Sequence, residues 1–302
     1  MLPDSLRKIP APLLAIAAAT LLFGSATPLL KILVSAIRPL VLLALLGAGS
    51  CAGVVSWRLA AGNARPVFTL PPAGGRERAL LAGTILVGGL LAPFLQLLSL
   101  PLTPAATASL LLNFEIVSTV LVAFLVFREP EDRTVAAAVA VILTGSLLLS
   151  WEGGPGFTFS PGAVGIIVAA FFWGLDNNFM AHTSVYSAEL IAVTKAVLGV
   201  LVAGGLVFLL REPLPDPGLA ALAFLTGFFA FGYGLVLFIR ALRAMGAARA
   251  GAIYAAAPFI GCLVSLAIFS EPLGLQFWLS LPLFLAGVGI VMWDHWTKNR
   301  SG

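Results

Sequence analysis

Charge is what this sequence is shortest of. Acidic and basic residues fill 10% of its 302 positions and hydrophobic ones 60%, whereas a water-soluble domain needs roughly 25% charged residues to cover its surface. A soluble fold is therefore excluded. Cysteine is almost missing: Cys51 and Cys262 both sit in apolar runs, which excludes a disulfide scaffold and leaves two small packing residues. Histidine is equally scarce. His182 and His295 have no Cys or carboxylate grouping at ligand spacing, so no metal site is expected. The sequence also lacks a phosphate-cradling glycine loop, a GxSxG and an HExxH. No cofactor is implied. No connection is long enough for an extramembrane domain, so any function must lie among the helices.

What is present in abundance is apolar sequence of membrane-crossing length. A window of about 19 residues predicts ten spans, at 12–33, 39–59, 79–98, 104–127, 133–151, 161–181, 188–210, 218–239, 248–269 and 275–294. Their internal Gly and Ala suit a tightly packed helical bundle, not a barrel of alternating strands. The first span is read as retained, not as a cleaved signal peptide, because it balances an even number of spans. The basic residues then sort by side. Arg7, Lys8, Arg58, Arg65, Arg76, Arg78, Arg128, Arg133, Arg240, Arg243, Arg249, Lys298 and Arg300 collect on one face, and only Arg38 and Arg211 on the other. That asymmetry places both termini in the cytoplasm. The arginines are dispersed over short loops, which argues against nucleic-acid binding. Most simply, Arg240, Arg243 and Arg249 set topology.

The informative stretch is TPAATASLLLNFEIVSTVLVAFLVFREP, residues 103–130. It is long enough to span a bilayer, yet it carries Asn113 and Glu115 near its middle. A carboxylate at that depth costs roughly 3 kcal/mol on insertion scales, so it should face protein or water. Helical spacing puts Ala108, Glu115, Ser118 and Thr119 on one stripe. Span 6 holds a second polar cluster, Trp173-Gly174-Leu175-Asp176-Asn177-Asn178. Three adjacent polar residues cover too wide an arc for a narrow seam, so at least one is expected to face a wet cavity. Lys195 on span 7 lies at the depth of Asp176, and an ion pair between them is the plain reading. Tyr254 on span 9 adds a hydroxyl at comparable depth. Lys31 is expected to snorkel to the interface. Gly47, Gly49 and Gly53 form a close-contact ladder. Pro28, and Pro258 with Gly261, predict kinks.

An internal repeat is also legible. Sliding residues 103–151 by 142 positions lays them on 245–293 without a gap. Ala105, Ala106 and Ala108 then match Ala247, Ala248 and Ala250; Phe127, Glu129 and Pro130 match Phe269, Glu271 and Pro272; Gly145 and Trp151 match Gly287 and Trp293. Phe23-Gly24 of span 1 similarly faces Trp173-Gly174 of span 6. With five spans per half, the second half enters the membrane upside down. Inverted repeats of this kind are typical of secondary transporters, with the site near the midplane. The expected organisation is a first repeat over 1–151, a second over 161–294 and a short cytoplasmic tail over 295–302.

These residues resemble the EamA-type branch of the drug/metabolite transporter superfamily. The likeness covers about Pro12 to Asp294 and rests on FGSATPLLK (23–31), TPAATASLLLNFE (103–115), FREP (127–130), WGLDNN (173–178), GYGLVLFIRALRAMGAARAGAIYAAAPF (232–259) and FSEP (269–272). It implies an all-α membrane protein of ten transmembrane helices, arranged as two inverted five-helix repeats around a central cavity. It also implies a multi-pass protein of the inner membrane that moves small metabolites, often amino acids, outward. Two departures fall at the cavity: an arginine common in span 2 of relatives is missing around Leu46 and Gly47, and a proline typical of span 4 is Ile116 here.

The expected function is export of a small polar metabolite, such as an amino acid or related compound, by alternating access. Glu115 and Asp176 would line the path. Asn113, Asn177, Asn178, Lys195, Tyr254 and Trp173 would contact cargo or orient the acids. Glu115 is the candidate for proton coupling, and Asp176 takes a structural or gating role if paired with Lys195. The expected partners are lipid, a small-molecule cargo and protons, in a monomer or homodimer. The alternative within transport is efflux of hydrophobic cations, for which aromatic residues and acids suffice but against which a cavity lysine argues. An intramembrane enzyme would use Glu115, Asp176 and Lys195 as acid and base, but it lacks a nucleophile–base pair. An assembly subunit would leave the inward acids unexplained.

Overall fold

In the computed structural model the described residues are 11–62, 68, 70–128, 133–151, 159–183, 185–245, 250, 253–270 and 273–298. Local sequence sets where the helices begin. Pro39 occupies the first turn of α2 (Pro39–Ala60), directly after an extended Arg38. Ser160 caps α6 (Pro161–Ala181) through the Ala163 amide, and Pro161 follows it. Ser187 accepts from the Leu190 amide at 3.1 Å to start α7 (Ala188–Leu210), and Asp216 accepts from Gly218 at 2.8 Å to start α8 (Pro217–Ala244). Each cap satisfies amide hydrogens that the first helical turn leaves orphaned. Pro at the first position forfeits no hydrogen bond.

The remaining helices are α1 (Ala11–Ala36), α3 (Gly75–Leu102), α4 (Ala105–Leu125), α5 (Arg133–Ser150), α9 (Ala257–Ile268) and α10 (Leu275–Lys298). The protein is all-α and membrane-spanning in character. Among the described residues, eight helices are long and apolar enough to cross a bilayer, and two shorter apolar helices, Ala257–Ile268 and Leu275–Ile290, follow. The ninth predicted span falls short because its helix breaks at Ala255–Ala256. At the other extreme, α10 continues to Lys298, past the predicted boundary at 294. Both Glu-Pro pairs (Glu129-Pro130 and Glu271-Pro272) lie outside the described residues, as do Arg7, Lys8, Arg65, Arg249 and Arg300.

Contacts at the helix ends fix the order of the bundle. At one end Arg38 pairs with Glu212 at 2.9 Å, and Gly162 of α6 packs on the Leu102 carbonyl. Lys31 reaches toward the same end. Its Nζ donates to the carbonyls of Leu100 and Thr103, both at 2.7 Å. The last carbonyls of a helix lack intrahelical partners, and the ammonium at this end supplies them. At the opposite end Phe127 stacks on His182 at 4.0 Å, Arg240 pairs with Glu189, and Arg243 donates to the Tyr186 carbonyl at 2.6 Å. Thus α1 ends where α6 begins, and α4 ends where α6 ends.

Glycine sets the closest approaches. Gly47 of α2 faces α7, where a Cβ would come within 2.8 Å of Val200. Gly49 and Gly53 face α8, and a Cβ at either would penetrate the carbonyls of Phe224 or Phe228. Gly227 returns the contact onto the Leu46 carbonyl. The ladder read in span 2 is therefore a double seam, one helix clasped by two neighbours.

Residues paired between the two halves meet comparable surroundings. Gly145 of α5 packs on Leu283 and Phe284 of α10, and Gly287 of α10 packs on Ile142 of α5. Gly174 abuts Ser118 and Thr119 where α6 crosses α4, and Gly24 abuts Ala257 and Ile260 where α1 crosses α9. A widened π turn occupies Val87–Leu91 in α3 and Gly227–Gly234 in α8. Breaks interrupt α4 at Leu112–Asn113 and the run into α9 at Ala255–Ala256.

The seam is directly testable. Gly49→Leu is expected to lower stability in detergent by about 1–3 kcal/mol or more, as overpacking against backbone does. Gly205→Leu should change the thermal melt little, because a Cβ at that position would meet nothing within 4 Å. Equal melts for the two variants would contradict the packing.

Candidate functional site

One cavity is walled by residues from α1, α2, α3, α4, α6, α7, α8 and α9 and from the approach to α9. It offers about 140 Å³ to the centres of water-sized molecules, about ten times what a single water requires. Most of the wall is apolar, with Leu30, Leu43, Leu46 and Leu97 toward the Arg38 end of the bundle. Glu115, Trp173, Asp176, Asn177, Lys195 and Tyr254 also line it. Six of the eight residues singled out from sequence are thus gathered at one place.

The polar groups divide into two units. In the first, Lys195 Nζ donates to Asp176 Oδ2 at 2.5 Å, with Asp176 0% and Lys195 4% exposed. Thr84 donates to the other carboxylate oxygen. The Lys195 ammonium also lies 5.6 Å from the centroid of the Trp173 ring, whose Nε1 donates to Gln96 at 3.3 Å. Three helices, α3, α6 and α7, therefore meet on one ion pair. Glycine makes that meeting possible: a Cβ at Gly88 would overlap the Asp176 carboxylate, and one at Gly89 would lie 2.7 Å from the Lys195 carbonyl oxygen. Both glycines lie in the π turn of α3. A wide turn of this type often marks a functional place in a helix.

In the second unit, Glu115 Oε1 accepts from Asn177 Nδ2 at 2.6 Å. Glu115 stands at the start of the second half of α4, just past the break. The break parts Ala108 from the stripe read from helical spacing, while Glu115, Ser118 and Thr119 stay together on the second half. Ser118 also faces α6, donating to the Ala170 carbonyl at 3.0 Å, and Thr119 bonds back to the Glu115 carbonyl at 2.7 Å. Tyr254 sits just before the corresponding break, edge-on to Phe23 at 5.8 Å.

Asn113 and Asn178 are not in the cavity wall. Asn113 is fully buried at the α4 break and donates to the Leu110 carbonyl at 2.9 Å. Asn178 donates to the carbonyls of Thr119 and Gly174, both at 2.9 Å, and so fastens α6 to α4. Both spend their amides on backbone, a structural use that helical spacing alone does not separate from a binding use. Conversely, Thr84 and Gln96 were missed. Each is a single hydroxyl or amide in an apolar run, and only the depth shared with Asp176 and Trp173 would have pointed to it. Among the described residues, no group of three or more His, Cys, Asp or Glu could hold a metal ion. Cys51 and Cys262 are free thiols, half-buried and buried.

Known proteins resemble the chain in sequence and in fold. Residues 160–293 match the EamA-like transporter family. An uncharacterized transporter of Methanothermobacter thermautotrophicus (strain Delta H) is 30% identical over 225 residues, which are 71% of this chain and 64% of that protein. The match thus spans just under two thirds of the relative's length. A solved crystal structure shares the fold at a TM-score of 0.60 and 21% identity, covering 94% of this chain and 96% of its own. Over its second half the chain is thus similar to the EamA-like transporter family, on a fold shared with a solved structure.

The ion pair predicts an asymmetric mutational response. Asp176→Asn alone strands a buried ammonium and should cost about 3–5 kcal/mol, whereas the double change with Lys195→Met should recover most of the loss. Thermal melts of the purified variants read the difference. A double variant as unstable as the single one would show that the pair is not the unit.

Proposed function

We propose that this chain is a secondary permease of the inner membrane, with both termini cytoplasmic, that exports a small polar metabolite by alternating access. The observation that carries the reading is the cavity itself: buried Asp176 and Lys195 and half-buried Glu115, all in the span of the bundle, converge on a space large enough for a small molecule. Charged side chains at membrane depth are expensive and ordinarily mark a substrate or ion path. The matched glycine crossings, π turns and helix breaks support two inverted five-helix repeats, over 1–151 and 161–294, with cargo between them. The arginine-rich end, where Arg58, Arg240 and Arg243 gather, supports the cytoplasmic assignment.

The roles follow the two units. Asp176 and Lys195 neutralise each other and position α3, α6 and α7. Glu115, with Asn177 and Tyr254, is the cargo-facing and proton-carrying group. An intramembrane enzyme is the weaker reading, because two of its three acid–base candidates are consumed by one ion pair. No nucleotide-binding motif is present in the sequence, so the driving force is an ion gradient or the cargo's own gradient.

Comparing extracellular metabolites of cells with and without the gene should reveal a compound enriched outside expressing cells. Its efflux should respond to external pH in the wild type and lose that response in Glu115→Gln. An identical pH dependence in both would remove the proton role, and an unchanged metabolite profile would remove the exporter reading.

A further inference from the structure

We propose that the cargo is an organic amine bearing one net positive charge and no carboxylate, seated with its ammonium at Glu115. The proposal rests on the permease reading above and names the chemistry of its cargo.

Charge balance selects this class. The carboxylates and ammonium groups lining the cavity are Glu115, Asp176 and Lys195. Two carboxylates against one ammonium leave a single negative charge. Asp176 and Lys195 are joined at 2.5 Å, Thr84 holds the remaining Asp176 oxygen, and the Trp173 ring faces the ammonium. That unit is complete without a ligand. The uncompensated charge is Glu115, which has one neutral amide donor, Asn177, at 2.6 Å. A half-buried carboxylate in the wall of a membrane-depth cavity is costly without a counter-charge, and a cation supplied by the cargo relieves it. A carboxylate on the cargo would instead need a cation not already engaged, and the one lysine in the wall is committed to Asp176. The lysine that argued against cationic cargo from sequence is electrically silent in the fold.

The wall fits the same class. Phe23, Phe231, Phe238 and Tyr254 all line the cavity and pack on one another, with ring centroids 4.7 Å apart for Phe238–Tyr254 and 6.1 Å for Phe23–Phe231. Aromatic faces attract ammonium groups, most strongly where water is scarce. Trp173 is already used by Lys195, whereas this cluster has no cation of its own in the cavity. The leucines toward the Arg38 end offer an apolar channel for the body of the amine.

Three probes with one apolar body and different heads test the assignment: phenethylamine, phenylalanine and hydrocinnamate. Binding to the purified full-length protein at neutral pH is followed by calorimetry and thermal shift. Saturable binding of phenethylamine is expected, with phenylalanine and hydrocinnamate much weaker. Glu115→Gln should weaken the amine by about tenfold or more, the scale of a hydrogen bond to a charged group. Phe23→Leu should weaken it as well, without altering the charge, and serves if Glu115→Gln does not fold. Equal or tighter binding of either carboxylate probe overturns the proposal. So does amine affinity indifferent to both substitutions, or saturation by none of the three. Flux in proteoliposomes separates the two readings: amine binding without flux sinks the permease and leaves the cargo class standing, while phenylalanine flux without amine flux does the reverse.

Discussion

The ion pair between Asp176 and Lys195 is the constraint to which the bundle's centre conforms. Neither charge would be tolerated alone in a low-dielectric interior, and together they still require their remaining hydrogen-bonding capacity to be met. Thr84 meets part of it from α3, and the Trp173 ring covers the ammonium from the side. For Thr84 to reach, α3 must lie almost against the pair. That closeness demands two successive residues without side chains, and Gly88 and Gly89 supply them. The widened turn of α3 is thus part of the same solution as the salt bridge.

Neutralising that pair is what gives Glu115 its character. A cavity with three independent charges would attract and repel a cargo in several places at once. With Asp176 and Lys195 closed on each other, one carboxylate remains to be answered, and its amide partner Asn177 comes from the same helix as Asp176. Two neighbouring residues of α6 therefore serve different units: one completes an ion pair, the other hydrogen-bonds Glu115. The third polar neighbour, Asn178, ties α6 to α4 and sets the height at which Asn177 meets Glu115.

Much of this was legible in the sequence because the membrane leaves little freedom. Span limits such as 188–210 and 161–181 coincide with helices, since an apolar run flanked by Ser or Pro has few alternatives. The Asp176–Lys195 pair was readable from depth alone, as buried opposite charges seek each other. What escaped depended on side-chain direction and backbone detail. Asn113, Glu115 and Asn178 look alike as polar residues at membrane depth, yet Asn113 and Glu115 stand about 200° apart round a helix and only Glu115 lines the cavity. No residue at the Leu112–Asn113 break is a Gly, and Pro104 lies a full helical segment earlier, so nothing local announced it. The carbonyls that Lys31 meets escaped for a related reason: a helix end within reach cannot be inferred from one segment. Thr84 and Gln96 were invisible because a lone small polar residue in an apolar run is common.

The double seam of α2 has a mechanical corollary. Gly47 locks this helix to α7 and Gly49 with Gly53 locks it to α8, on two different faces, with backbone pressed on backbone. Close-packed contacts of that kind slide poorly. The three helices should travel as one slab, leaving rearrangement to the pieces whose hydrogen-bond ladders are already interrupted: the midsection of α4, the approach to α9 and the wide turn of α3. A spectroscopic distance between labels on α2 and α8 would then hold constant through the working cycle, while one between α2 and the second half of α4 would change.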